Sequence, residues 1–410
     1  MPKIRIREID NTGTPTLGEI PNVVYIPGKA DEDVEPKLFT SAKAFADACC
    51  SDDATVNMGY HYETLSATLA HHLLKRGMQV LFQGFKLPNA NSGDEPSIPN
   101  IPWDDLADKA RYDIRFLTTG EFFAPSKDMV ECAAKRCDAI ALLDSKYTDA
   151  ANVRLDLETR VGKVFDVLDT TNDPRSFAAA FAPTVSLNLI GMDSSGNDSM
   201  KVFEHVPASF GYLCAFATSV QSNPVWYAAA GSFRGIINEL ISVDKEYSTA
   251  DIEMLQARAQ TGEVALDESG DNVGIAINPI AYVRPFGHIV WGNRTFRDNA
   301  ADDDGTGLLK ATSFLNCRII SSEVAKTAYN AARKYTFEQN SEVLWLNFTS
   351  QITPLLDRME TGNGILDYNI SRVATNKKAR LAAKITLIPI EAVEDFDITI
   401  ELTDSISISE

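Results

Sequence analysis

Short apolar runs alternate with segments of helical periodicity over the first part of the chain. Runs typical of buried strands occur at "NVVYIPG", "MQVLFQGF" and "DAIALLD". Between the first two, "TSAKAFADACC" and "HYETLSATLAHHLLKRG" place apolar residues three and four positions apart, as on one face of a helix. This β-α-α-β order predicts an α/β layer with parallel strand pairing.

The pattern changes near residue 280. The strand-type run "IAYVRPFGHIVWG" is followed by the acidic loop "RDNAADDDGTG" and then by two amphipathic helices, "SEVAKTAYNAARKYTFE" and "SEVLWLNFTSQITPLLDRMETG". We expect Pro354 to kink or interrupt the second helix, because proline lacks the N–H that a helix interior needs. Two further β-type runs end the chain.

Each end of the chain has the alternation of a half-buried strand, and the polar faces of the two strands have opposite charge. Side by side, they would pair apolar with apolar and basic with acidic, each cross-strand pair contributing roughly 0.2–1 kcal/mol. Both strands could complete a sheet within the monomer, or they could be added to the sheet of a neighbouring molecule. The sequence leaves both arrangements open. The residues that define the two patterns are Ile4, Arg5 and Ile6 at one end and Ile398, Ile400, Glu401 and Leu402 at the other.

Composition narrows the classes of function. With 410 residues, 44% of them apolar, the chain can bury one large core or two ordinary ones. It has neither the apolar centre of a signal peptide nor the ~20 apolar residues of a membrane helix, so we expect a soluble protein that folds in a cytoplasm. A net charge of −19 argues against broad nucleic-acid binding. The six cysteines form no paired CxxC set and are expected to be reduced and mostly buried.

Motifs of catalysis and metal binding are missing from the sequence. It contains no GxxxxGK loop, no GxGxxG after a strand and no HExxH, and "GSFRG" has the wrong order for a nucleophile elbow. His71 and His72 are neighbours on a helix and cannot face one ligand site, so we expect surface or boundary histidines. "DDDGTG" lacks the spaced ligands of a calcium loop. We therefore expect no cofactor and no metal, and an α/β enzyme is the disfavoured alternative.

The helix "SEVAKTAYNAARKYTFE" has a basic side in an acidic protein. Val324 and Ala331 fall on its core-facing stripe, whereas Lys326, Arg333 and Lys334 are predicted on the outer side. Such a run is usually only a solvated helix face. The functional alternative is an electrostatic docking surface for an acidic partner.

Several segments of the second half resemble, in the same order, those of contractile phage tail sheath proteins. The similar segments are "NPVWYAAAGSFRG", "IAINPIAYVRPFGHIVWGNRTF", "FEQNSEVLW" and "AAKITLIPIEAVEDFDITIEL". Together with "HVPASFGYLCAFA" they cover most of residues 200–405, and the front half agrees in outline without a large insertion, as in a compact member of the family. The matching motif residues are Trp226, Gly231, Arg234, Gly235, Asn278, Gly287, Trp291, Gly292, Arg294 and Thr295.

The resemblance implies a two-lobed α/β (α+β) fold without enzymatic activity. An outer α/β domain would be joined to a C-terminal inner domain that terminal β-strand arms complete. The implied boundaries are 1–25 for the N-terminal arm, 26–275 for the outer and middle domain, 276–395 for the inner domain facing the tube and 396–410 for the C-terminal arm. Gly287 and Gly292 would allow turns or close backbone approach, Trp291 would pack in the core and Arg294 would tie neighbouring segments together.

The resemblance also implies partners and a location. The subunit would assemble with itself around a tail tube protein, contract from a metastable extended state, and contact baseplate and neck or terminator proteins, without touching nucleic acid or membrane directly. The helix with Lys326, Arg333 and Lys334 would face the tube. The location would be the virion, after synthesis in the host bacterial cytoplasm. A tailocin or another contractile injection system is the alternative.

Overall fold

The computed structural model describes residues 22–87, 98–123, 126–161, 174–256, 275–297, 311–374 and 379–392. The two predicted terminal strands, which contain Ile4, Arg5, Ile6, Ile398, Ile400, Glu401 and Leu402, lie outside these ranges. Among the described helices, none is both long enough and apolar enough to cross a membrane.

The described residues contain thirteen strands and ten α-helices, besides loops and short 3-10 helices. The strands are β1 (Val23–Lys29), β2 (Lys37–Phe39), β3 (Gln79–Phe85), β4 (Phe116–Leu117), β5 (Ile140–Asp144), β6 (Ala178–Ala182), β7 (Val185–Met192), β8 (Asp198–Val206), β9 (Leu240–Val243), β10 (Ile277–Val283), β11 (Gly287–Val290), β12 (Ile365–Val373) and β13 (Ala382–Pro389). The helices are α1 (Ala42–Cys50), α2 (Leu65–Lys75), α3 (Trp103–Leu106), α4 (Lys127–Arg136), α5 (Ala150–Val161), α6 (Ala208–Val220), α7 (Gly231–Arg234), α8 (Thr249–Gln256), α9 (Leu315–Lys334) and α10 (Glu342–Thr361).

Eight strands form one sheet, the large sheet, in the order β11-β10-β6-β5-β4-β1-β3-β2. The pairs from β10 through β3 are parallel, and β2 and β11 add antiparallel edges. Parallel strands covered on both faces need nearly continuous apolar runs, and β5 and β6 are buried along their whole length. Helices α1, α2 and α6 cover one face, and α4, α5 and α8 cover the other. The predicted mixed α/β fold with parallel pairing is confirmed.

A second, antiparallel sheet of three strands has the order β8-β7-β9 and packs against α2. Pro183 lies between two strands, β6 of the large sheet and β7 of the second sheet, because proline cannot donate a ladder hydrogen bond. Strand β8 lies at an edge of this sheet, and its outer side has no strand partner among the described residues.

Helices α9 and α10 and the two-stranded sheet of β12 and β13 form the inner unit, with an apolar cluster of its own. Ser341 caps α10 by accepting the Leu344 N–H, and Gly362 ends it. Pro354 does not interrupt α10. Ile352 and Leu356, two residues to either side of Pro354, are fully buried in the cluster and hold the helix in place.

The large sheet extends beyond residue 275, where the implied boundary between outer and inner domains falls. Strand β10 pairs with β6 over Ile277–Pro279, and β11 pairs with β10. Residues 277–290 therefore share a sheet with the outer strands. Helix α9, the first element of the unit with its own apolar cluster, begins at Leu315.

Candidate assembly surfaces

Asn278 is the centre of the motif that contains Gly292 and Arg294. Its side-chain amide donates to the carbonyls of Ala180 (3.0 Å) and Arg294 (2.8 Å), and its Oδ1 accepts the Arg294 N–H at 2.7 Å. A Cβ at position 292 would lie 2.6 Å from Asn278 Oδ1, so only glycine fits this close approach. Asn278 thus joins β10, β6 and the segment after β11 into one buried unit.

The neighbouring motif residues also hold backbone segments in place. Gly287 has a positive φ of 83° at the β10–β11 turn. The Thr295 hydroxyl donates to the Thr312 carbonyl (2.9 Å), and the Arg294 guanidinium lies over the Phe314 ring. The expected core position of Trp291 is wrong: its side chain is 39% exposed, because Trp291 follows β11 on the surface side of this edge strand.

Trp226 connects the chain before α7 to the inner unit. Its indole N–H donates to the Gly362 carbonyl at 2.9 Å. Cβ atoms at positions 362 and 364 would each lie 2.8 Å from the Trp226 ring, so both glycines are needed for the ring to lie flat against this turn. Trp226 is buried in the cluster formed by α9, α10 and β12. The motif tryptophan is therefore a packing residue.

Arg234 and Gly235 end the same motif. Arg234 Nε donates to the Ala228 carbonyl (2.9 Å), and its guanidinium lies over the Tyr227 ring. A Cβ at Gly235 would be 2.7 Å from the Gly231 N and from the Val290 carbonyl oxygen. Gly231 itself has a positive φ of 74°. The glycines of this motif thus permit a close approach to β11.

Lys326 does not belong to an outer basic face, contrary to the sequence prediction. It is 3% exposed and forms an ion pair with Asp113, two residues before Arg115, which directly precedes β4. Burial lowers its pKa, and the neighbouring Arg115 charge lowers it further. A helical wheel shows only the residues of the helix itself. It does not show that the segment before β4 covers the side of α9 with Lys326, while α10 covers another side.

Arg115 and Glu323 form a second ion pair at this junction, which sequence reasoning missed. Arg115 Nη2 and Glu323 Oε1 are 2.5 Å apart, and both side chains are almost fully buried. Arg318, also on α9, lies over the Phe177 ring at 4.3 Å. The only signal in the sequence was Glu323 directly beside the apolar stripe of α9, at a position where a solvated glutamate is not expected.

Arg333 and Lys334 at the end of α9 are exposed, as predicted. Arg333 Nη1 donates to the Ala110 carbonyl at 3.2 Å, and Lys334 lies over the Tyr335 ring. Phe337, in the turn between α9 and α10, is fully exposed and has a positive φ of 75°. This end of the inner unit therefore presents two cations and an aromatic side chain to solvent.

The β12–β13 sheet is small for its exposed surface. Two strands alone are marginally stable in water, and Leu366, Val373 and Ile388 are each largely exposed on them. A groove of about 510 Å³ lies between α10 and β12, lined by Trp345, Thr349 and Tyr368 among others. The sheet has room and exposed apolar surface for additional strands.

His71 and His72 are buried, contrary to the expectation of surface or boundary positions. His71 pairs with Asp198, and burial lowers its pKa. His72, Cys214 and Glu239 come close enough together to hold a metal ion. His72 Nδ1, however, accepts the Ile190 N–H at 3.2 Å, so its Nε2 carries the proton that is donated to Glu239 and has no lone pair for a metal. His72 and Glu239 are better explained as a hydrogen-bonded pair.

Asp144 and Ser209 form the arrangement that most resembles a catalytic pair. Asp144 accepts the Ser209 N–H at 2.7 Å and its hydroxyl at 2.5 Å. Burial raises the Asp144 pKa to about 6, in spite of these hydrogen bonds. Neither residue has a histidine partner among the contacts that the structure shows, and both are buried. The pair fixes the first turn of α6 to the end of β5, where a carboxylate is favoured by the helix N-terminus.

Solved structures provide the decisive comparison, since no protein-family model and no curated protein matches the sequence. A chain of the anti-feeding prophage (AFP) baseplate aligns with a TM-score of 0.58 at 14% identity, covering 99% of both chains. A chain of the PVC sheath complex in its contracted state, from an extracellular contractile injection system, aligns with a TM-score of 0.56 at 15% identity, covering 99% of this chain and 98% of that one. The chain has the fold of a contractile sheath protein.

A third alignment, to a chain of the contracted AFP baseplate, has a TM-score of 0.57 at 14% identity and covers 98% of this chain and 99% of the other. Coverage of this extent leaves no space for a large inserted domain in either partner. The sheath fold also agrees with the packing roles of Trp226, Asn278 and Gly292, none of which lines a reaction site.

Proposed function

We propose that this chain is the structural subunit of a contractile tail sheath. The observation that carries the proposal is the end-to-end similarity of the fold to a chain of the PVC sheath complex. The order of the motifs around Trp226, Asn278 and Gly292, and the packing they serve, supports it independently. Many copies would polymerise around a tail tube and shorten together.

Terminal strands would link the copies laterally. The β12–β13 sheet has exposed apolar side chains and a groove beside α10. The patterns at 3–9 and 397–403 have the period of half-buried strands and polar faces of opposite charge. Strands from neighbouring copies would extend the small sheet and leave a mesh that stays connected while the subunit bodies rotate.

The tube would be contacted through the end of α9. Arg333 and Lys334 are exposed cations in a chain with a net charge of −19. Phe337 is exposed beside them. A short basic patch next to an aromatic side chain suits an acidic tube surface, because complementary charge orients the partner and aromatic burial adds affinity. Lys326 has no part in this surface, since it is buried against Asp113.

Contraction would use stored conformational energy. In the extended state each subunit would be held in a packing of slightly higher free energy, and a signal from the baseplate would release it. A modest difference per copy becomes large when it is summed over a lattice. The tube would then be driven through a bacterial envelope, and the sheath would need no nucleotide.

Two kinds of assembly remain in view. A phage tail would place the subunit in a virion, made in the host cytoplasm and joined to baseplate and neck proteins. A tailocin or another contractile injection system is favoured by the PVC similarity, since that structure is of an extracellular contractile injection system. Genes for a capsid beside the sheath gene would separate the two.

Electron microscopy of the purified chain tests the proposal. We expect long hollow cylinders with helical order. A monomer or dimer that persists at high protein concentration would contradict the sheath function.

A further inference from the structure

A cavity of about 280 Å³ lies between α2, β7, β8 and the segment around β9, and we name it the Glu239 cavity. His72 and Glu239 are its buried residues, while Met200, Asn238 and Ile241 at its edge are exposed. The cavity is separate from α9, the β12–β13 sheet and the motif around Asn278. None of the roles proposed above uses it.

Two buried oxygen atoms of this cavity lack a hydrogen-bond donor. Glu239 Oε1 accepts from His72 Nε2 at 3.1 Å and from Arg76 Nη2 at 2.5 Å, but Oε2 has no partner. Asn188 Oδ1, which also belongs to a lining residue, has none either. Burial raises the pKa of Glu239, but the hydrogen bond from His72 and the charge of Arg76 outweigh it and lower the pKa, so the group is a carboxylate. Arg76 Nε, at the same cavity, lacks an acceptor. An unpaired buried acceptor is costly, and the two oxygens can accept from a donor supplied from outside.

The surroundings of the cavity have the composition of a protein contact. Met200 and Val202 on β8 are each 59% exposed, and Ile241 on β9 is 54% exposed. These three side chains, which we name the apolar ring, surround a polar centre. In an interface hot spot, such a ring excludes water from the central polar contact. A small solute would leave this ring in water, whereas a protein partner would bury it.

The tip of the β10–β11 hairpin has the complementary chemistry. Arg284 is exposed there, and it makes no ion pair in the part of the chain that the structure describes. Tyr282 and Phe286, two residues before and after it, are 57% and 45% exposed. Arginine and tyrosine are among the residues most enriched in hot spots. A guanidinium has five N–H donors and no acceptor, so it can donate to both unpaired oxygens of the Glu239 cavity.

We propose that Arg284 of one copy enters the Glu239 cavity of a second copy, with Tyr282 and Phe286 covering the apolar ring. The contact would use two different surfaces of the same chain, and such a head-to-tail contact generates closed rings or open helical assemblies. This inference rests on the proposed sheath function and adds to it a specific contact between subunit bodies. It is independent of the terminal strands.

The test measures the critical concentration for assembly of the full-length chain by light scattering, with the products imaged by electron microscopy. Arg284→Ala removes the donor, and Asn188→Lys fills the cavity from its own chain. We expect each to raise the critical concentration about tenfold or more, which corresponds to at least about 1.4 kcal/mol per contact. Lys245→Ala and Ser242→Lys are the matched controls, because both positions are exposed and neither lines the cavity. Thermal melts show whether each variant is folded.

The double variant separates this contact from general effects on assembly. Because both changes remove one interaction, Arg284→Ala with Asn188→Lys should be no worse than the stronger single variant. Additive effects of the two changes would overturn the inference, and so would normal assembly of Arg284→Ala. In either case, cylinders formed by the wild type would leave the sheath function standing. If the wild type forms no cylinders but self-associates in a manner that Arg284→Ala abolishes, the sheath function fails and the contact stands.

Discussion

Glu323 of α9 and Arg115, the residue before β4, form an ion pair 2.5 Å long that is shielded from solvent on both sides. Lys326, one turn further along α9, pairs with Asp113 on the same segment. The inner unit is therefore fastened to the outer domain by charges rather than by apolar packing alone. Removal of either partner is costly, because the other charge then stays buried without a counter-charge. The two residues must therefore meet for this fold to be stable.

Replacing Glu323 with Gln should lower the free energy of unfolding by about 3–5 kcal/mol, because Arg115 would stay buried without a counter-charge. Urea denaturation followed by circular dichroism measures the change. The control is Glu338→Gln in the exposed turn after α9, where we expect a change below about 0.5 kcal/mol. Equal stability of the two variants would show that the ion pair does not fasten α9.

Gly292→Ala should destabilise the chain by about 1–3 kcal/mol, because the new Cβ would lie 2.6 Å from Asn278 Oδ1 and displace the buried amide. Gly287→Ala is the matched control. It has a positive φ but no atom within 4 Å of the new Cβ, so only the backbone term of about 1 kcal/mol applies. Thermal melts of both variants give the comparison. A larger loss for Gly287→Ala would contradict the role of Asn278 as the centre of the motif.

The sequence predicted the elements whose signal is local. Apolar runs located β1, β3 and β5, and helical periodicity located α1, α2, α9 and α10. Positions that depend on what covers an element could not be predicted. Lys326 looked like a surface residue because the wheel of α9 shows one apolar stripe, whereas the outer domain covers a second side. Trp291 looked like a core residue because its type usually is one, but it follows an edge strand. The Glu239 cavity, formed from β7, β8, α2 and the segment around β9, had no sequence signal at all.

Asp144 should make the stability of the fold fall as pH rises from about 4 to about 6. Its pKa is raised by burial from the usual 3.8 to about 6, so the folded state holds the proton more tightly than the unfolded state. Its contribution is therefore complete below the unfolded pKa and is lost as pH rises through the folded pKa. Asp144→Asn should remove this part of the pH dependence, which is on the order of 1–3 kcal/mol. Urea midpoints at pH 4, 5, 6 and 7 for both chains measure it, and parallel profiles would rule the assignment out.

Deleting residues 397–410 should leave a folded subunit that no longer polymerises, because the strand pattern that would extend a neighbouring β12–β13 sheet is gone. Deleting residues 1–10 should have the same effect. A chain that lacks only 404–410 keeps the pattern at 397–403 and is the matched control. Electron microscopy and circular dichroism separate assembly from folding. Normal cylinders from either of the longer truncations would remove the terminal strands from the lattice contacts.

Reversing the charge at Arg333 and Lys334 should weaken binding to the tail tube protein and leave self-assembly intact. Both side chains are exposed at the end of α9, so their replacement by Glu should not disturb the core, and an acidic tube would be repelled. We expect a loss of about tenfold or more in co-sedimentation with assembled tube at low salt, decreasing as salt screens the charges. Lys43→Glu on α1 is the exposed control. Lys326→Met should act differently: it removes a buried cation, leaves the exposed Asp113 carboxylate to water, and should have no specific effect on tube binding. Unchanged tube binding by the double reversal would exclude this end of α9 from the tube interface.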